Sequence, residues 1–311
     1  MRILRIVFLA LTAAGVALAL YRLWPDVSHA LASMSVGSLA LSVLLALGYQ
    51  LTGLLAWRRT LKELGSPTSV GSAAHIYLVS QVGKYIPGSV WAGLAMVRLG
   101  QEANIPRARM AYSYALSLAF SMMTGLAIGV PALIAYGNYL PLAIASLAVL
   151  AVVLLWPRLL NGILDRGLRL ARRGSLEQPL SGKGISQIVG LYVIAWVFAG
   201  LSIWALTTAI ASSTAQAPFL STAAFAVAST LGVLVVLAPA GAGVRDVVMV
   251  LILSPLVGVP GATAVSVLSR ATLTVLDVAG AAIAGVGRRW TRPRESRVEL
   301  HDAPVTDTGR P

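Results

Sequence analysis

No cysteine occurs anywhere in the 311 residues. Disulfides, thiolate metal sites, iron–sulfur clusters and cysteine nucleophiles are therefore excluded. Histidine is nearly as scarce: His29, His75 and His301 lie far apart and form no HExxH or similar spacing. No Walker-type phosphate loop is present, so the chain carries no visible ATP motor of its own. Charge is also thin. Only 11% of the residues are charged, against roughly 25% in an ordinary soluble domain, which leaves little sequence for such a domain. The apolar runs are too long for barrel strands, which alternate over ~10 residues.

What fills the chain is hydrocarbon. Hydrophobic residues make up 57% and the mean hydropathy is +0.81. The sequence predicts an all-α polytopic membrane protein, with six full crossings at about 3–23, 39–57, 110–135, 139–157, 187–210 and 259–287. The first has the charged start and apolar body of a signal peptide, but its length reads as an uncleaved span.

The net charge of +13 is spread as an orientation signal rather than as a nucleic-acid surface. Twenty of the 24 basic residues fall in 1–5, 58–62, 98–109, 158–183 and 288–310, all on one side if the N-terminus is cytoplasmic. The opposite loop "ASSTAQAP" (211–218) has none. Cytoplasmic termini follow. Basic loops also flank 70–99, and thirty residues are too few for two crossings of ~20 each. Two half-length helices meeting at Pro87-Gly88 fit, as a re-entrant hairpin.

The second half echoes the first. "TGLLAW" (52–57) matches "AGLSIW" (199–204), pairing Gly53 with Gly200 and Trp57 with Trp204 at an offset of 147. Ser80 and Gly83 match Ser229 and Gly232, and Pro87 matches Pro239 after a two-residue insertion. Two inverted units result, about 39–135 and 187–287, each built as span, re-entrant hairpin, span. The second hairpin, 219–257, is also permitted by its charges to be two full crossings. Broken segments at corresponding places of inverted repeats point to a transport site near the midplane.

Four basic residues stand outside the cytoplasmic set: Arg22, Lys84, Arg245 and Arg270. Arg22, beside Tyr21 and Trp24, reads as an interfacial anchor. The others sit at membrane depth with Asp246 and Asp277, where a lone charge costs at least ~2.5–3.5 kcal/mol. Each must face a cavity or a partner. Lys84 is next to the first break and Arg245-Asp246 just after the second. Half-helix N-termini there offer N–H donors, and with the cations they suit a phosphate or carboxylate.

Arg270 and Asp277 share a helix face with Thr263, Ser266 and Thr274, while Ser113, Ser117 and Thr124 form a second stripe. The bland alternative is that Arg245 pairs with Asp277, or Asp246 with Arg270, merely to neutralise buried charge. Stripes of Ser and Thr often do no more than pack helices. Tyr85 and Trp91 either meet a lipid or pack.

"GKYIPGSVW" (83–91), followed by "PAGAGVRD" (239–246), resembles the lysylphosphatidylglycerol synthase transmembrane-region family over roughly 5–290. This flippase-like domain occurs in bacterial multiple-peptide-resistance proteins and in stand-alone membrane proteins. Gly83, Lys84, Tyr85, Pro87 and Gly88 match its first motif; Pro239, Gly241, Gly243, Arg245 and Asp246 match its second. Asp246 stands where the family commonly has Glu, which keeps the charge and shortens its reach. The resemblance implies translocation of a lipid with a charged head group in the bacterial inner membrane.

Bifunctional members add a large aminoacyl-transferase domain, whereas only a polar tail, 289–311, follows the last span here. That tail reads as disordered, and lysyl-phosphatidylglycerol synthesis is not expected. The leading expectation is a flippase or scramblase for a phospholipid, an aminoacyl lipid or a polyprenyl-phosphate-linked lipid. It would act without a cofactor, with Arg270 and Asp277 in gating, and beside a separate lipid-modifying or glycosyltransferase enzyme. Ion-coupled transport of a small anion is the alternative. An aspartyl dyad of Asp246 and Asp277 ranks last, since no catalytic motif flanks it.

Overall fold

A computed structural model describes residues 34–86, 90–136, 138–170, 178–212, 214–235, 241 and 243–291, together with Pro25, Ser28 and Ala32. The expected first span, the breaks at Pro87-Gly88 and Pro239, and the tail beyond 291 lie outside these residues.

Among the described residues all regular structure is helical. In chain order the helices are α1 (Val36–Glu63), α2 (Val70–Gln81), α3 (Trp91–Glu102), α4 (Arg107–Gly129), α5 (Leu140–Leu155), α6 (Pro157–Leu170), α7 (Gly182–Thr207), α8 (Ala217–Leu234) and α9 (Val244–Thr291). Serines open three of them. Ser35, Ser69 and Ser181 accept from the N–H groups of Ser38, Ser72 and Gly184, satisfying donors that a helix start leaves unpaired.

Five segments are long and apolar enough to cross a membrane: Val36–Glu63, Arg107–Ile134, Gly182–Thr207, Ala217–Leu234 and Val244–Val286. The protein is a multi-pass membrane protein. α5 reaches that length only if α6 is counted with it, across a bend of 95°. The expected span at 139–157 is thus a shorter helix than a full crossing needs, and the basic stretch after it begins as a helix rather than a loop. In α6, Leu160 and Leu164 pack on the core, while Leu159 and Ile163 are exposed and Arg158, Arg166 and Arg169 lie among them.

α2 and α3 have 12 residues each, about 18 Å at ~1.5 Å per residue, well short of a ~30 Å hydrocarbon core. These are the two half-length helices expected around Pro87-Gly88. α8 differs, because its 18 residues are enough to cross. α9 breaks at Gly258 (φ 69°, ψ 168°), between Pro255 and Pro260, where the sequence separates 219–257 from 259–287.

α7 lies at the centre. It buries Trp196, Ile203 and Leu206 against Phe225 of α8 and Met249 and Leu253 of α9, and Ile185 and Ile188 against Ala56 of α1 and Phe120 of α4. Ser42 and Ser202 join α1 to α7 by a buried hydrogen bond of 2.9 Å. The α4 stripe serves packing too: Ser113 accepts from Trp57 Nε1 and Thr124 from Trp196 Nε1, each at 3.1 Å. Facing outward are Leu44, Leu51, Ile144, Leu251 and Val275, a surface suited to lipid.

Among the described residues the basic stretches around 58–62, 109 and 181–183 meet at one end. Glu63 pairs with Arg59 at 2.6 Å and accepts from Ser181 N and Oγ. Arg109 donates to Gly65 O, Arg58 to Thr68 O, and His75 meets Ala284 O near the end of α9.

Two glycines set how closely each broken segment folds back. A Cβ on Gly83 would meet the backbone N and Cα of Ala92 at 2.7 and 2.8 Å. One on Gly232 would meet Arg245 Cβ at 3.2 Å and Gly241 Cα at 3.3 Å. Backbone cannot swing away as a side chain can. Gly83→Ala is therefore expected to cost about 1–3 kcal/mol, as core overpacking does, and Gly232→Ala clearly less. Thermal unfolding of the detergent-solubilised variants checks that order.

Candidate functional site

At the first break α2 tightens into a 3-10 turn, Val82–Tyr85. Gly83 rests on the start of α3, and Lys84 and Tyr85 reach across to Asp277 of α9. Lys84 Nζ stands 2.6 Å from Asp277 Oδ2, to which Tyr85 OH also donates at 2.6 Å. Gln50 Nε2 of α1 donates to Oδ1 at 3.0 Å. Asp277 is buried, whereas the Lys84 side chain is 33% exposed. The ammonium also donates to Gln81 Oε1 at 3.4 Å.

At the second break Gly241 (φ 69°) and Gly243 (φ 86°) adopt left-handed backbone, which glycine tolerates without steric cost. A Cβ on Gly241 would meet Gly232 Cα at 2.8 Å, so Gly241 lies directly on the end of α8. Gly243 N–H then donates to Asp246 Oδ2 at 3.1 Å. Asp246 also receives Arg270 through Nη2 at 2.8 Å and Nε at 3.3 Å, and Ser266 Oγ at 3.0 Å. The N–H of Gly243, expected to be open to an anion, is thus taken by the chain's own carboxylate. α3 is different, since it begins with no side-chain cap.

Arg245 forms an ion pair with neither of these acids. It is 8% exposed, its Nη2 donates to Ser269 Oγ at 3.2 Å, and its guanidinium lies 4.9 Å from the Phe225 ring centre. Its Nε has no hydrogen-bond partner. Among the described residues no carboxylate lies within ion-pair distance of it. The expected alternatives resolve unevenly: Asp246 does pair with Arg270, but Asp277 pairs with Lys84 and not with Arg245. Arg270 and Asp277, two turns apart on one helix, serve different breaks.

Lys84, Tyr85, Gly241, Arg245 and Arg270 line one cavity of about 660 Å³. Gly83 and Gly243 shape the breaks without lining it, and Asp246 and Asp277 stand behind its cations. Pro87, Gly88 and Pro239 are outside the described residues. Aromatic side chains from five helices complete the wall, among them Trp57, Tyr77, Tyr114, Trp196 and Phe225. Val90, Leu94 and Val233 also line it, yet they are 55%, 55% and 41% exposed, so part of its apolar wall is open surface.

The residues that sequence reasoning missed are Gln50, Phe225 and Ser269. Gln50 carried a signal, as an amide inside the otherwise apolar run 39–57. Phe225 and Ser269 carried none, since their value lies in facing Arg245.

Residues 3–279 match the family model described as the lysylphosphatidylglycerol synthase TM region. The chain belongs to this family. As a lysylphosphatidylglycerol synthase TM region it carries both broken segments and all five charged site residues inside the matched stretch, and its tail outside it. The family points to a membrane lipid-related function. A search of curated proteins found no match.

Proposed function

We propose that the protein moves a lipid with a charged head group between the leaflets of a bacterial inner membrane, as a flippase or scramblase and not as an enzyme. The observation that carries this is Arg245, a buried guanidinium with an unpartnered Nε in a cavity whose apolar wall is in part open surface. Buried charges are paired in stable structures, and a phosphate is a natural partner for a guanidinium. The head group sits at Arg245 while its chains leave past Val90, Leu94 and Val233 into the bilayer.

Lys84 is the second contact, and the arriving anion competes with Asp277 for it. Arg270 pairs with Asp246 and Asp277 with Lys84, and these pairs are the contacts that gating would open and close. With each aspartate held by its own cation, an aspartyl dyad has no support. The small-anion alternative would favour a cavity closed toward lipid, and the exposed wall residues favour lipid cargo over it.

Further support comes from the parallel between the two halves. Gly83 and Gly232 each hold a broken segment against the start of the following helix, in line with two inverted units, 39–135 and 187–287. The basic stretches that meet at one end favour cytoplasmic N- and C-termini. The lipid itself would come from a separate lipid-modifying or glycosyltransferase enzyme.

The test is mass spectrometry of lipids retained in mild detergent by wild type, Lys84→Ala and Arg245→Ala. A specific lipid enriched on wild type and lost from both variants is the expected result. Bulk lipid alone, unchanged by either substitution, would overturn the lipid site and favour small-solute transport.

A further inference from the structure

The charge balance of the cavity selects among head groups, given the lipid-site reading above. Three cations reach its wall, Lys84, Arg245 and Arg270. Two are already neutralised, Lys84 by Asp277 at 2.6 Å and Arg270 by Asp246 at 2.8 Å. The stretches at the two breaks, 87–89 and 236–240, contain no charged residue. Among the described residues one positive charge is left over, the Arg245 guanidinium.

We infer that the cargo is a monoanionic phosphodiester lipid whose head group is otherwise neutral and hydroxyl-bearing. A single negative charge on Arg245 leaves the filled cavity neutral. A phosphomonoester dianion leaves a negative charge buried, and a cationic aminoacyl head group adds to the one already there. Either is costly away from water. An ammonium would find both aspartates occupied.

The rest of the head group is specified by what else lacks a partner. Thr230 Oγ1 is buried without a hydrogen bond, and the residue lines the same cavity. Neutral hydroxyls in the ligand satisfy such groups as donor or acceptor. The volume of about 660 Å³ lies within the ~300–1,000 Å³ range of sites that hold a whole small molecule, so it has room for a polyol or sugar beyond the phosphate.

The protein is reconstituted in phosphatidylcholine nanodiscs doped equally with phosphatidylglycerol (one negative charge), phosphatidic acid at a pH where it is a dianion, and lysyl-phosphatidylglycerol (net positive), with matched acyl chains. Native mass spectrometry reads the lipid retained. Phosphatidylglycerol is expected to exceed the other two by at least roughly tenfold, as charge complementarity in a buried site implies. Arg245→Gln, which removes the surplus charge, is expected to flatten that preference. Lys84→Gln does the same by leaving Asp277 uncompensated, and it keeps the test open should one variant fail to fold.

Arg245-dependent retention of the dianion or the cation at or above phosphatidylglycerol overturns the inference and leaves the lipid site standing. Retention indifferent to Arg245 overturns both. Deacylated glycerophosphoglycerol supplies the final arm. Displacement of the lipid by it at equal concentration supports the phosphodiester class but overturns a lipid source.

Discussion

Arg245→Met is expected to yield a protein at least as stable as wild type that has lost its head group. The guanidinium is buried, with one hydrogen bond to Ser269, a ring contact to Phe225 and an Nε without a partner. Replacing poorly compensated buried charge by an apolar side chain of similar volume is often neutral or stabilising by about 1–4 kcal/mol. Methionine also adapts to an irregular wall. The same change removes the cation proposed to hold the phosphate. Losing one partner of a buried charged contact costs roughly 2–5 kcal/mol, or thirtyfold to several thousandfold in affinity. Thermal unfolding of lipid-stripped protein, alongside lipid retention, reads both quantities. A marked fall in stability would make Arg245 a structural residue and count against the site.

Asp277→Ala is expected to do the opposite. Its carboxylate collects Lys84, Tyr85 and Gln50 from two other elements. Without it three donors converge on nothing, and of these Gln50 is itself buried. Breaking a buried pair from one side costs about 3–5 kcal/mol, and the lower end applies because the partly exposed Lys84 can turn into the cavity. Lys84→Met/Asp277→Ala should then be less damaging than the single losses add up to, by about 0.5–3 kcal/mol, as coupled neighbours are. Chemical denaturation of the four forms of that cycle measures it. Additive losses would mean that the pair does not hold the first break to α9.

The spans were legible because lipid imposes a length and an apolar run on each. α1, α4 and α7 match their expected positions, and Gly258 between Pro255 and Pro260 marks the bend in α9. The half-length helices around Pro87-Gly88 were also legible, because basic loops at both ends of 70–99 leave no other solution. The 3.6-residue alternation of Leu160 and Leu164 with Arg158, Arg166 and Arg169 was on the page, but it was counted only as loop charge. The site was half legible. A charge inside an apolar run announces itself, so Lys84, Arg245, Asp246, Arg270 and Asp277 stood out. Which charge meets which did not. Tyr85 and Asp277 are 192 positions apart, with Lys84 one residue further from the same acid, and no local pattern encodes that encounter. Nor could the sequence say that Asp246 would cap its own helix and leave Arg245 as the cation to spare.

The separation of Lys84 from Asp277 also bears on biogenesis. The ribosome releases the α2–α3 hairpin long before it makes the residue that neutralises the hairpin's lysine. Until α9 enters the bilayer, the ammonium has its aqueous or head-group surroundings as the cheaper option. Closure of the first break is thereby deferred until α9 has been made, and the cavity takes its shape only then.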